Sequence, residues 1–224
     1  PESHAASFAL IAYASAYLKC NYLAAFTAAI LNNQPMGFYQ PFTIVKDAQR
    51  HGLKVLPIDI TRSDWLCTLE KEEDETIVVR LGLRYVRGLS KQSGEAIVRE
   101  RVAGDFAGID DLRNRVPEVR KDELRKLAAV GALNFIQNSS RRDALWQVER
   151  VTRAAGKLYE ELLEQDGNSP LQQMTLPERM DADFRGTGLT IGKHPVAYHR
   201  GELSKLKALR AIDIRTLHNG TFVR

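Results

Sequence analysis

Cysteine is nearly absent. Cys20 and Cys67 stand far apart with no second pair, which excludes a disulfide framework and a zinc site built from Cys pairs, and leaves two buried free thiols as the expectation. Long apolar runs are also lacking. Ala5–Leu18 is rich in Ala, Leu, Ile and aromatics, but Lys19 stops it short of the roughly 20 residues a bilayer span needs. Neither a basic leader region nor a small-residue cleavage site accompanies it, so no secretory segment is expected and the cytoplasm is the default. An initiator Met is missing too, and Pro1 and Glu2 run straight into an apolar helical pattern. The expectation is an excerpt of a longer chain. Finally, there is no strong bias of charge: 32 Lys and Arg face 28 Asp and Glu. With 44% hydrophobic and 27% charged residues, disorder and collagen-like repetition are excluded.

What is present suits two or three small units, since 224 residues exceed the usual size of one domain. Ala5–Leu31 reads as helix broken only near Asn21, apolar on nearly every face, and is therefore expected in the core. Pro41 opens a second helix that closes near Gly52. Residues 54–60 and 77–86, rich in Val, Ile and Leu, read as a small strand pair around an acidic turn at 70–75. Short helices then alternate with tight turns: Gly94–Arg101, Ile109–Arg115 and Lys121–Val130. Ser139 and Ser140 cap a long helix reaching Glu164. Residues 166–188 show no clear period and read as a linker. Pro195–Leu206 is helical, and a strand begins near Thr221.

The charge that exists is localised. Between Arg80 and Lys126 there are twelve Lys or Arg against eight Asp or Glu, an excess equal to the net +4 of the whole chain. A basic surplus suits a polyanion, although charge runs on helices usually only solvate a face. Within this stretch, Val86-Arg87-Gly88-Leu89-Ser90 followed by Gly94-Glu95-Ala96-Ile97 reads as a helix-hairpin-helix. Glycine permits positive φ and lets backbone approach a phosphate, and the free amides of the next helix's first turn donate to it. Ser90 stands where such a hairpin carries a second glycine. Arg87, Gly88, Leu89, Ser90, Lys91 and Gly94 are the candidate DNA-backbone contacts. A related shape at Val119–Leu133 is assigned to core support, the grip to the first hairpin.

Other chemistry is thin. Asp181-Ala182-Asp183 imitates a metal-binding carboxylate pair but sits in the linker, and His194 and His199 have a spacing that favours capping or packing over a shared metal. No catalytic or metal-binding residue is assigned. His4 and Phe8, four positions apart, share one helix face.

The run Ser3-His4-Ala5-Ala6-Ser7-Phe8-Ala9-Leu10-Ile11-Ala12-Tyr13, continuing to Tyr17-Leu18-Lys19 and ending in Ala28-Ala29-Ile30-Leu31, resembles the fingers signature of bacterial C-family polymerases, the DNA polymerase III alpha subunits. The order downstream agrees: His51-Gly52-Leu53, Pro57-Ile58-Asp59-Ile60, the hairpins, Gly131-Ala132-Leu133, and Leu189-Thr190-Ile191-Gly192-Lys193-His194-Pro195. Glu2 stands where replicative members carry Lys, and Lys193 separates Gly192 from His194. Both features, with Asn32–Tyr39 and Thr61–Trp65, are similar to the error-prone paralogue.

The resemblance implies a mainly α fold with a small β element. Its parts would be fingers at 1–79, a tandem helix-hairpin-helix module at 80–136, a long connecting helix at 137–165, a linker at 166–188, and a helix with the start of an OB-fold at 189–224. It further implies template-directed and translesion DNA synthesis by the intact protein, with Mg²⁺ held in a palm domain outside this chain. The chain itself would bind no cofactor and would be inactive alone. Ser3, His4 and Phe8 would lie near the incoming deoxynucleotide. Implied partners are duplex primer-template DNA, a sliding clamp and mutagenesis accessory proteins. Competing readings are a freestanding helix-hairpin-helix DNA-binding protein and, last, a hairpin-containing repair glycosylase, for which no catalytic Asp is marked.

Overall fold

The computed structural model describes residues 2–136, 139–151 and 169–222. It forms two compact units, Pro1–Ile191 and Gly192–Arg224. The first begins with α1 (Glu2–Asn21) and α2 (Leu23–Asn32), interrupted at Tyr22 as the sequence suggests. None of the side chains of α1 is buried, and Phe8 is 60% exposed. That overturns the expectation of a core helix. Apolar composition fixes what a helix needs to cover, but within the described residues little packs on α1 beyond an ion pair from Lys19 to Asp47 at 2.6 Å.

The core starts at α2. Ala28 and Leu31 pack against Val45 and Ala48 of α3 (Pro41–Arg50), which starts with Pro at its first position. Asn32 then uses its side-chain amide as a mock strand, donating to the Cys67 carbonyl at 2.9 Å and accepting from its N–H at 2.7 Å. The expected strand pair is a three-stranded sheet ordered β1-β3-β2. β1 (Val55–Leu56) runs parallel to β3 (Ile77–Arg80), Val55 facing Val79. β2 (Thr68–Lys71) is antiparallel to β3, Thr68 facing Arg80. The acidic turn is therefore shorter than the sequence suggested, because an edge strand with one half-solvated face leaves only a faint apolar alternation. Beyond Arg80 the chain leaves the sheet for a 3₁₀ turn, Leu83–Tyr85.

Three helices follow at the expected places: α4 (Lys91–Arg101), α5 (Ile109–Arg115) and α6 (Lys121–Ala129). They bury Ile97, Leu112, Leu124 and Leu127 completely in the same core as the sheet, each contributing about 1.5–3 kcal/mol. α7 (Arg141–Val151) packs on α6, and its expected continuation to Glu164 lies outside the described residues. Part of the expected linker is a helix, α8 (Leu176–Thr187). Its ends carry the usual signals: Thr175 and Glu178 form a reciprocal capping box, and Gly188 turns left-handed after the last turn.

The second unit contains α9 (Pro195–Tyr198) and α10 (Arg200–Lys205), the expected single helix divided at His199. Thr221 and Phe222 pair in no strand among the described residues, so the expected OB-fold start is not formed there.

Candidate nucleic-acid interface

The first hairpin joins the 3₁₀ turn to α4. Gly88 has φ +78°, a conformation that side-chain-bearing residues rarely adopt, and it is exposed. Leu89 turns inward and is buried. Ser90, at the position of the missing second glycine, is the N-cap of α4: its hydroxyl oxygen accepts from the Ser93 N–H at 3.1 Å. The first-turn amides of Lys91 and Gln92 have no carbonyl to reach within the helix, and both residues are exposed. Gly94 has a different role from the one expected. It is buried, and a Cβ there would run into the Trp65 indole, so it serves close packing and cannot touch a phosphate.

The second hairpin is the turn Val116–Arg120 between α5 and α6. It lies upstream of the glycine that suggested it, since Gly131 instead ends α6: its N–H donates to Ala128 and that of Ala132 to Leu127, a helix-stop pair. Val116 and Val119 are buried. The key residue is Glu123, third in α6 and 0% exposed. Its carboxylate accepts from the Arg120 N–H at 2.9 Å, the Ser90 N–H at 2.7 Å and the Ser93 hydroxyl at 2.8 Å. One buried anion thus joins the N-termini of α4 and α6, the partially positive ends of both helices. Burial alone would push its pKa up; the amides of Arg120 and Ser90 and the serine hydroxyls prevail and hold it below the ordinary glutamate range. Lys126, one turn on, donates to the Gly88 carbonyl at 3.1 Å. α6 therefore holds the first hairpin on both sides of Leu89.

The basic surplus becomes a set of staples. Arg80 is buried against Glu70 and the Pro57 carbonyl. Arg84 donates to the carbonyls of Asn32 and Gln34, and Arg101 to those of Ile60 and Ser63. Arg115 reaches the Gly104 and Asp105 carbonyls and lies over the Phe106 ring. Arg87 is drawn to α8: its N–H donates to the Gly186 carbonyl at 2.7 Å and its guanidinium to those of Phe184 and Arg185 at 3.4 Å. These guanidinium groups keep their charge, because a carbonyl neutralises nothing. Lys121 and Arg125 are different, since both pair with Glu149, whose carboxyl they hold down at about 2.

Beside the first hairpin opens a cleft of about 1010 Å³, walled by the segment Asp64–Thr68, Arg84, the hairpin and the start of α4. Cys67 on this wall is buried, which pushes its thiol up to about 11 and rules out a reactive thiolate. Ser3 is exposed on α1, as are His4 and Phe8, whose rings meet edge-on with centroids 4.5 Å apart.

The carboxylates do not assemble a metal site. Asp183 pairs with Arg141 at 2.7 Å and Thr190 at 2.8 Å, and Asp181 with Arg185 at 3.0 Å. No group of three or more His, Cys, Asp or Glu side chains converges among the described residues. They therefore do not fit Mg²⁺, and no chemical step is assigned to them. No helix of the described residues is long and apolar enough to cross a membrane.

Residues 52–144 match the family model of the helix-hairpin-helix motif. The whole chain also aligns with proteins named error-prone DNA polymerase. It is 40% identical to the one from Alkalilimnicola ehrlichii and 43% to the one from Burkholderia pseudomallei, covering 22% and 21% of their lengths. Error-prone DNA polymerase 2 of Agrobacterium fabrum is 40% identical, with 21% of its length covered. The chain spans about a fifth of the curated relatives it matches.

Proposed function

We propose that this chain, homologous over its entire length to a stretch of error-prone DNA polymerases, is the part of such an enzyme that grips the backbone of duplex DNA. The observation that carries the reading is Gly88 at φ +78° beside the exposed first turn of α4. This turn brings unshielded amides to the surface, and its rim carries the charges of Arg87 and Lys91. Such a grip positions DNA without reading bases. Template-directed synthesis belongs to the intact polymerase, with Mg²⁺ held by carboxylates elsewhere in it. The clamp, accessory proteins and deoxynucleotide are partners of that larger protein. The bare apolar surface of α1 supports this reading, since it would be covered by the rest of the enzyme, leaving Ser3, His4 and Phe8 near the nucleotide.

The test is duplex binding followed by fluorescence anisotropy across a salt series. About three to five phosphate contacts give a slope of log K against log salt of roughly −3 to −4.5, alike for unrelated sequences. Gly88→Val, checked for folding by circular dichroism, is expected to flatten the slope and weaken binding at least tenfold. A folded variant that binds like the parent would reduce the first hairpin to a structural turn.

A further inference from the structure

The cleft next to the hairpin is larger than a phosphate grip requires. At about 1010 Å³ it sits at the upper end of the roughly 300–1,000 Å³ range of small-molecule sites. Its floor is apolar, with Trp65, Leu66 and Val98, and its rim carries Arg84, Arg87 and Lys91. The acids that share the cleft are answered: Asp64 by Arg101 at 2.8 Å and Glu95 by Lys91 at 3.5 Å. Arg84 and Arg87 bond only to neutral carbonyls. The cleft therefore keeps a positive excess over an apolar floor, a combination that suits an unpaired nucleotide, whose phosphate is anionic and whose base has two apolar faces.

A second feature continues the path. Gln34, held by Arg84, leads within four residues to Phe38, whose ring is 99% exposed. A solvated aromatic ring beside an arginine is a natural stacking platform for a base.

We propose that this cleft binds single-stranded DNA, taking up the unpaired continuation of a strand whose duplex part lies on the first hairpin. The proposal rests on the reading of that hairpin as a duplex grip. Bases would stack over Trp65 and Leu66, phosphates would follow Arg84 and Lys91, and Phe38 would receive the strand as it leaves. Recognition would tolerate any sequence, since every base offers a stacking face.

The experiment compares the 224-residue chain's affinity for a blunt duplex and for the same duplex with a short single-stranded extension. Tryptophan fluorescence is read in a Trp146→Phe background, so that the signal comes from Trp65. The extension is expected to tighten binding about tenfold and to quench Trp65, with no quenching by the blunt duplex. Leu66→Glu, at an exposed position, and Phe38→Ala are each expected to remove most of that gain while leaving blunt-duplex affinity unchanged. If the blunt duplex binds and the extension adds neither affinity nor quenching, the cleft proposal is overturned and the duplex grip stands. If neither DNA binds, both fall. If the extension's gain survives in Leu66→Glu and Phe38→Ala, the strand lies elsewhere and the cleft proposal is again overturned.

Discussion

The two hairpins differ in what fills their turns. The first turns through an exposed glycine, and its helix opens with an N-cap serine. The second turns through Val116 and Val119, both buried, and carries on α6 the glutamate that holds the first in place. Their helices begin alike, with Lys91 and Lys121 at the first position. The difference teaches that the shape does not decide the role. A hairpin whose amides are already answered by an internal carboxylate supplies support, and one whose first turn stays open to solvent is available to a polyanion.

The strongest way to break this division of labour is at Glu123. In Glu123→Gln one carboxylate oxygen becomes an NH₂ group, which then faces either the Ser90 N–H or the Arg120 N–H, donor against donor. A cost of about 2–4 kcal/mol is expected, as for a buried charged hydrogen-bonding group losing its acceptor. Denaturant melts measure it. Because the folded-state pKa is depressed, the stabilisation is present at neutral pH. It fades as pH falls below the range of an exposed glutamate, about 4.3, and is gone once the folded carboxyl is protonated. The gap between parent and variant should therefore narrow in acid. A gap that is constant with pH would assign the loss to packing rather than to the anion.

A smaller effect sharpens the contrast at the caps. Ser90→Ala removes the hydroxyl that receives the Ser93 N–H and should cost about 1 kcal/mol, Ser90→Gly only a few tenths. Arg120→Ala should cost close to nothing, because there the cap is the backbone N–H held by Glu123. Equal losses at both positions, read from thermal melts, would mean that Ser90 acts other than as a cap.

Sequence reasoning read the helices between Lys91 and Ala129 well, because Gly88, Ser90 and Gly131 punctuate them. It read α1 as buried, because hydrophobicity records a need for cover and not whether these residues supply it. It passed over α8 although Thr175, Glu178 and Gly188 mark both ends, because the stretch between them lacks an apolar period. Glu123 was counted within a charge run. Its burial follows from the meeting of two helices whose first turns lie 30 positions apart, which no local pattern records. The arginines were misread for the same reason: a count of charge cannot tell a side chain facing solvent from one tied to a distant carbonyl, as Arg84 is to Asn32.

The finest test compares the two lysines that open the helices. Lys91 is exposed and held only loosely by Glu95 at 3.5 Å, on the same helix. Lys121 is bound at 3.1 Å to Glu149, which also takes Arg125. Surface pairs of this kind are worth about 0–1 kcal/mol, so neither Lys91→Ala nor Lys121→Ala should move stability much. Duplex binding should separate them. Loss of one phosphate contact reduces the salt slope by about 0.9, and that reduction is expected for Lys91→Ala, uniformly across sequences because phosphates carry no direct base information. Lys121→Ala is expected to leave the slope where it was, since its charge is already answered within the protein. Equal reductions at both positions would mean that the second helix also faces the duplex, and the assignment of one hairpin to grip and the other to support would have to give way to a joint grip.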